Sequence, residues 1–367
     1  MNTVIEHPAS RIGSNVVTQL RRYTAEAEQL GHLHTEQLDV LYAHGWFKLF
    51  VPKVYGGLEL SLPQGVRLEE SVAWVDGSLG WVVTLCSGAS WFSGFLEESV
   101  CRALLTNDRV CFAGSGAPTG VAEIVSGGYR VTGDWLYATG SEHATVFTAN
   151  CVIHRDGVAV CDTEGNAEIR PFVFLRDEVT PRPAWKAIGM LATASNAFSV
   201  TSLFVPQDRC FRIDGRFATH RDAVFQYAFQ PLAETTLAAN YSGMALRFID
   251  LCAEIFTERP RYSRSHTDQH TVMLQSKLES ARLTLDNCRV AFFAVLDRSW
   301  EECIAGGLSA GMLADVTRTS RQLAQVAREV VDTLYPYAGL RAADPTTAIN
   351  RVWRDLHTAS QHFLLVF

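Results

Sequence analysis

The residues best suited to chemistry cluster between Val110 and Ala144. Phe112-Ala113-Gly114-Ser115-Gly116-Ala117-Pro118-Thr119-Gly120 is followed by Gly127-Gly128 and then by Trp135-Leu136-Tyr137-Ala138-Thr139-Gly140-Ser141, with His143 just beyond. The double glycine accepts the positive φ of a tight hairpin turn, and Tyr129-Arg130-Val131-Thr132 after it alternates as a strand does. Aromatic, hydroxyl and small side chains at this density suit a flat ring that is stacked on one face and hydrogen-bonded at its edge. A flavin is the ring expected. Ser115 and the backbone around it would touch the ring or a substrate. Ser141 would bond the ring edge, or is an ordinary turn serine. The Gly114–Gly120 run is not a dinucleotide loop, because Pro118 forbids a smooth helix start and a hairpin follows in place of a βαβ unit.

Two histidines are candidates for proton transfer, His143 and His362, since imidazole titrates nearest neutral pH. Each has a purely structural alternative. Trp81, Trp91 and Phe92 lie in a strongly apolar stretch and serve either as core or as walls of a substrate chamber. His266 and His270 are spaced to share a helix face. With only Asp268 between them and no third convergent ligand, a solvated segment is expected and no metal site. No nucleophile elbow, phosphate-binding Lys loop or H-E-x-x-H helix occurs, so hydrolase and nucleotide-hydrolysing functions lack support.

Helical periodicity flanks this region on both sides. Val16, Leu20, Tyr23, Ala27 and Leu30 recur at steps of three and four. A second helix runs from Thr35 to a stop at Gly45, a third begins near Ser61 with Pro63 in its first turn, and Leu79 to Phe95 reads as a buried core helix. From 106 to about 215, short alternating segments separated by Gly, Asp and Pro predict an antiparallel β domain. Helical spacing returns over Leu232–Phe256, Thr271–Asp297, Ala314–Leu334 and Thr347 onward. The expected division is a helical domain at 1–105, a β domain at 106–215 and a helical bundle at 216–367. The 367 residues carry 47% hydrophobic side chains and a net charge of −7, which is globular and offers no basic footprint for nucleic acid. Nine scattered cysteines without a C-x-x-C pair predict reduced thiols and a cytoplasmic setting. Neither a signal peptide nor a membrane-length apolar run is expected.

This order of elements resembles the acyl-CoA dehydrogenase superfamily over nearly the whole chain. Gly45-x-Phe47 with Val51-Pro52-x-x-Tyr55-Gly56-Gly57, Trp185-Lys186-Ala187-Ile188-Gly189-Met190 with Thr193 and Ser195, and Arg354-Asp355 carry the resemblance. The segments FAGSGAPTG, GGYRVTGDWLYATGSEHA and AGLRAADPTTAINRVWRDLHTASQH are similar to the two-component flavin-dependent monooxygenases. The resemblance implies an α+β multidomain fold with a central antiparallel β-barrel and a C-terminal four-helix bundle. It implies an aromatic or other small-molecule substrate, flavin (FAD or FMN) used reduced and delivered by a separate reductase, and a homotetramer. It places Thr139 as a hydroxyl or backbone donor near flavin N5, Tyr137 against the ring, Trp185 and Thr193 among the cofactor contacts, and His362 on the substrate side, eight residues after Arg354.

The dehydrogenases' glutamate base falls at Phe363 or at Ala233, where only the neighbouring Glu234 offers a carboxylate. Their flavin-phosphate motif becomes Arg259-Pro260-Arg261-Tyr262 with Arg264, and Gln-x-x-Gly-Gly becomes Tyr337-Ala338-Gly339-Leu340. Reduced-flavin oxygenation is therefore expected ahead of acyl-CoA dehydrogenation with Glu234 as base. A catalytically silent binding protein is the third alternative.

Overall fold

The computed structural model describes residues 5–258 and 268–365. Arg259, Arg261, Arg264 and His266 lie outside the described residues. The chain opens with six helices, α1 (Ser14–Arg22), α2 (Thr24–Leu30), α3 (Thr35–Ala43), α4 (Leu62–Val75), α5 (Gly77–Ser90) and α6 (Glu98–Leu105). Seven strands follow, β1 (Phe112–Val125), β2 (Gly128–Ala138), β3 (Val146–Arg155), β4 (Val158–Ala159), β5 (Ile169–Leu175), β6 (Thr180–Arg182) and β7 (Asn196–Pro206). The chain ends with α7 (Phe229–Glu258), α8 (Asp268–Ile304), α9 (Ala310–Ala338), α10 (Leu340–Ala343) and α11 (Ala348–Ala359).

Local chemistry explains several boundaries. Ser61 caps α4 through a reciprocal bond with Gln64, and Pro63 sits in the first turn, where its missing N–H costs nothing. The Asp76 carboxylate caps α5 at Leu79 N, 2.9 Å away. The periodic stretch from Val16 to Leu30 is two helices, α1 and α2, interrupted at Tyr23. Leu79–Phe95 is helical to Ser90 and then tightens into a 3₁₀ turn at Trp91–Phe95.

The central sheet differs from the antiparallel barrel expected. Strands run β4-β3-β1-β2-β7-β6, with β5 also on β3, and the path does not close. The β1–β2 hairpin turns at Gly127, whose φ is +80°. After β2 the chain crosses to the far side of β1, so β3 pairs with β1 in parallel. The sheet is therefore mixed. Alternation marks each strand in a sequence, whereas its neighbour depends on where the connection runs.

β1 carries a pronounced bulge. It advances from Ser115 to Gly120 while β3 advances only from Ala149 to Cys151. Pro118 has no ladder N–H to lose there. Asn150 Nδ2 fastens the loop by donating to Gly116 O at 2.8 Å. Ser115 is the last paired residue before the bulge and Gly116 the first unpaired one.

The sheet has its own core of Trp135, Phe147, Phe172, Phe174 and Phe198. A second, larger core joins the N-terminal helices to α7, α8, α9 and α11. The long α7 is its axis and is buried along most of its length. A clamp ties α11 to the loop before β7. Asp355 accepts from Met190 N at 2.5 Å, Arg354 donates to Ile188 O at 2.7 Å, and Arg351 and Arg354 both hold Glu28. Gly189 permits this approach, since a Cβ there would lie 2.2 Å from the Arg354 carbonyl carbon and oxygen. Gly189→Ala is expected to cost about 1–3 kcal/mol, read as a lowered urea midpoint, because backbone rather than a flexible side chain would have to yield.

Candidate functional site

A cavity of about 200 Å³ opens where the sheet meets the two helical regions. Helix α5 contributes Thr84, Leu85, Gly88 and Ala89, and Phe92 follows from the 3₁₀ turn. The bulge of β1 contributes Gly114, Ser115 and Gly116, and β3 contributes Thr148, Ala149 and Asn150. Thr139, just after β2, completes the sheet side. Helix α7 supplies Phe229, Leu232, Ala233, Thr236 and Leu237, and His362, Phe363 and Leu364 come from the chain end. Most of the wall is apolar, with hydroxyls, one amide and one imidazole placed on it. Among the described residues, none that line it is Asp, Glu, Lys or Arg.

The hydroxyl of Thr139 belongs to a chain whose direction can be worked out. Thr193 Oγ1 donates to Met190 O at 2.8 Å, and a carbonyl only accepts. Each hydroxyl has one proton, so Ser195 must donate to Thr193 (2.8 Å) and Thr139 to Ser195 (2.9 Å). Thr139 therefore offers the cavity lone pairs, not a proton. The backbone around this chain is strained, with φ of +64° at Tyr137, +55° at Met190 and +45° at Ala194. Non-glycine residues in that region are held there by their surroundings, as happens at functional sites.

His362 is the titratable side chain on the wall. Burial pushes its pKa down from 6.5 to about 4, so the ring is neutral at ordinary pH. Its Nδ1 is buried without a hydrogen-bond partner. Trp81 packs edge-on against it with centroids 5.8 Å apart, and Phe363 stacks on it at 5.1 Å. A neutral imidazole has one donor and one acceptor nitrogen, so a ring on the cavity wall can exchange a proton with a ligand that reaches it.

The structure thus brings Ser115, Thr139, Phe92 and His362 to one cavity. It does not bring the other candidates there. Trp91 is fully buried in the core, with Nε1 donating to Val224 O at 3.1 Å. At the start of the 3₁₀ turn it points inward, while Phe92, one residue on, faces the cavity. Tyr137 is 68% exposed and meets Trp185 edge-on at 6.2 Å, away from the cavity wall. Trp185 donates to Met190 O at 2.8 Å, and Thr193 lies inside the hydroxyl chain.

Ser141 donates to Ala194 O at 2.7 Å. His143 also stands off the cavity, beside His32 with ring centroids 5.8 Å apart. Burial, with His32 and Arg176 near it, lowers its pKa to about 4. Glu234 is buried on the other side of α7, accepting from Thr317 at 2.5 Å and facing Arg321 at 3.4 Å. Ala233 lines the cavity and the next residue, about 100° round the helix, does not. No carboxylate therefore stands at either place where the dehydrogenase base was sought.

Sequence reasoning missed Thr84, Gly88 and Asn150. A signal existed for Gly88. A glycine inside an apolar helix lowers helix stability and calls for a reason, and the reason is open space, since a Cβ there meets nothing within 4 Å.

The family profile described as "Acyl-CoA dehydrogenase, C-terminal domain" matches residues 235–367. Indole-3-acetate monooxygenase of Pseudomonas putida is 25% identical over 345 residues, which cover 93% of this chain and 86% of that protein. The crystal structure of 3-HSA hydroxylase from Rhodococcus sp. RHA1 superposes with a TM-score of 0.89 at 22% identity, covering 98% of this chain and 94% of that one. XiaF from Streptomyces sp., solved in complex with FADH2 and glycerol, gives a TM-score of 0.84 at 18% identity, over 97% and 93%. Residues 235–367 thus match the acyl-CoA dehydrogenase C-terminal domain, and the chain as a whole is similar in sequence and fold to monooxygenase oxygenase components, a flavin-dependent one of Mycobacterium tuberculosis among them at 24% identity over 95% of this chain and 89% of that protein.

Proposed function

We propose that this protein is the oxygenase component of a two-component flavin-dependent monooxygenase that hydroxylates a small aromatic molecule. The observation that carries the reading is the cavity wall. It holds no carboxylate to take an α-proton from an acyl thioester, and it does hold a neutral histidine opposite a hydroxyl-lined sheet edge.

The residues present fit a flavin. Gly116 faces open space that a side chain would fill, and Ser115, Thr139 and Asn150 on the sheet side form an uncharged hydrogen-bonding edge. Reduced flavin, when bound, supplies the two electrons that activate oxygen for insertion into the substrate. Thr139 accepts a hydrogen bond at Oγ1, so it suits a ring N–H, which the reduced ring carries at N5 and the oxidised ring lacks. His362 takes the proton of a substrate hydroxyl at a ring nitrogen, or returns one. Leu85, Phe92, Leu232 and Leu237 keep water from the reacting atoms. The flavin would arrive from a separate reductase. FAD or FMN as its form, a homotetramer, a cytoplasmic setting and the domain limits 1–105, 106–215 and 216–367 belong to the same proposal. No described helix is long and apolar enough to cross a membrane.

The test is to bind photoreduced FMN or FAD to the protein under anaerobic conditions and then admit isotopically labelled oxygen with a panel of phenols and indoles. Expected are tighter binding of reduced than of oxidised flavin and a product with one labelled oxygen. Protein that takes up no reduced flavin, or gives no labelled product, would overturn the proposal.

A further inference from the structure

The cavity has a second polar wall that the chemistry above does not use. Thr84 lies on it, one helical turn from Gly88. Asn240 Nδ2 donates to Thr84 Oγ1 at 2.7 Å and to Thr236 O at 3.0 Å, which uses both amide protons. Behind Thr84 sits Glu69, fully buried, accepting from Ser87 Oγ at 3.3 Å, with Oε2 bare of partners. Burial raises this carboxyl well above the usual carboxylate range, despite the hydroxyls of Ser87 and Thr84 beside it, so it keeps its proton. Thr84 Oγ1 accepts from Asn240, and its own proton is left for the cavity. The two hydroxyl walls therefore differ in sense. Thr139 accepts and Thr84 donates.

Among the described residues no guanidinium lines the cavity. Arg212, next to Ile213 on the wall, lies over the Phe217 ring at 4.7 Å and faces Glu168 at 3.6 Å. Arg321 is engaged with Glu234. A carboxylate entering this cavity would lose its water without gaining a cation, at a cost of several kcal/mol. In size, benzene fills an apolar cavity of about 150 Å³, so about 200 Å³ leaves room for an aromatic molecule larger than benzene.

We propose that this cavity selects an uncharged aromatic molecule carrying one oxygen, and that Thr84, oriented by Asn240, is the specificity residue that donates to that oxygen. The inference rests on the oxygenase reading for its meaning as a substrate site, but its test uses neither flavin nor turnover. The full chain, free of flavin, is titrated calorimetrically near neutral pH with 2-naphthol, naphthalene and 2-naphthoate. The expected order places 2-naphthol first, naphthalene about fivefold weaker, as for one hydrogen bond, and 2-naphthoate at least about tenfold weaker than 2-naphthol. Thr84→Val should bring 2-naphthol down to the level of naphthalene and leave naphthalene unchanged, and Thr84→Ser should restore the difference. Binding of 2-naphthoate as tight as 2-naphthol, equal loss of both neutral probes in Thr84→Val, or binding of none of the three overturns the proposal. If labelled oxygen is never incorporated but this order holds, only the oxygenase reading falls. If labelled oxygen enters a carboxylate substrate and this order fails, only the present inference falls.

Discussion

His362→Gln is expected to lower the rate of coupled hydroxylation about 10²–10⁴-fold, the usual worth of a positioned general acid or base. Glutamine keeps a polar side chain of similar reach but cannot exchange a proton. Affinity for reduced flavin should change little, because the hydroxyl edge that would hold the ring lies across the cavity. Single-turnover measurements separate the two. A variant that hydroxylates at the normal rate would remove His362 from the chemistry. The pH dependence gives a second check. A ring whose pKa is held at about 4 is already neutral at pH 5, so the turnover profile should be flat from pH 5 to 8 and carry no histidine-like step near 6.5.

The same burial affects stability, and the sign follows from proton counting. Between pH 6.5 and 4 the unfolded chain protonates His143 and His362 while the folded chain does not, so stability falls as pH falls through that window and is fully present above it. Each ring contributes up to about 3 kcal/mol. His362→Gln should remove one share of the loss, seen as a smaller difference between urea midpoints at pH 5 and pH 7.

Gly88→Leu is expected to abolish binding of aromatic probes, by at least 100-fold, in a protein as stable as the parent or more so. The Cβ of residue 88 would meet nothing within 4 Å, so the leucine would grow into the cavity without clashing. Leucine also gains about 0.5–1 kcal/mol over glycine in a helix interior. Loss of function combined with a raised melting temperature is hard to produce except by filling a functional void. Calorimetric titration and thermal unfolding of the same sample decide it. Retained binding would mean that the ligand lies elsewhere. The contrast with Gly189 is instructive, since one glycine is there for a ligand and the other for a backbone.

The element types were legible because periodicity and caps report them locally. Ser61, Pro63 and Gly45 marked helix ends, and Gly127-Gly128 marked the hairpin. The pairing of β1 with β3 was not legible, since nothing in either strand states where the chain goes between them. The site was legible to the extent that its residues share a segment, so Ser115 and Thr139 emerged from one platform. His362 emerged from its distance to Arg354. Trp91 and Phe92 could not be told apart, because adjacent helical residues differ by a rotation that only packing fixes. Glu234 and Ala233 pose the same problem. Thr84 was hidden because an apolar helix read as core is core on most of its surface and wall on the remainder.

The two polar ends of the cavity meet at one residue. From Thr139 the hydroxyl chain runs through Ser195 and Thr193 to the carbonyl of Met190. The amide of Met190 is held by Asp355 of α11, and the chain just past α11 carries His362, whose backbone N–H donates to Ala359 O at 3.0 Å. Met190 thus works as a gauge between the lone pair at one end and the imidazole at the other. The same hydrogen-bonded chain, through the Thr139, Ser195 and Thr193 hydroxyls and the Asp355 carboxyl, sets the span a bound molecule has to match.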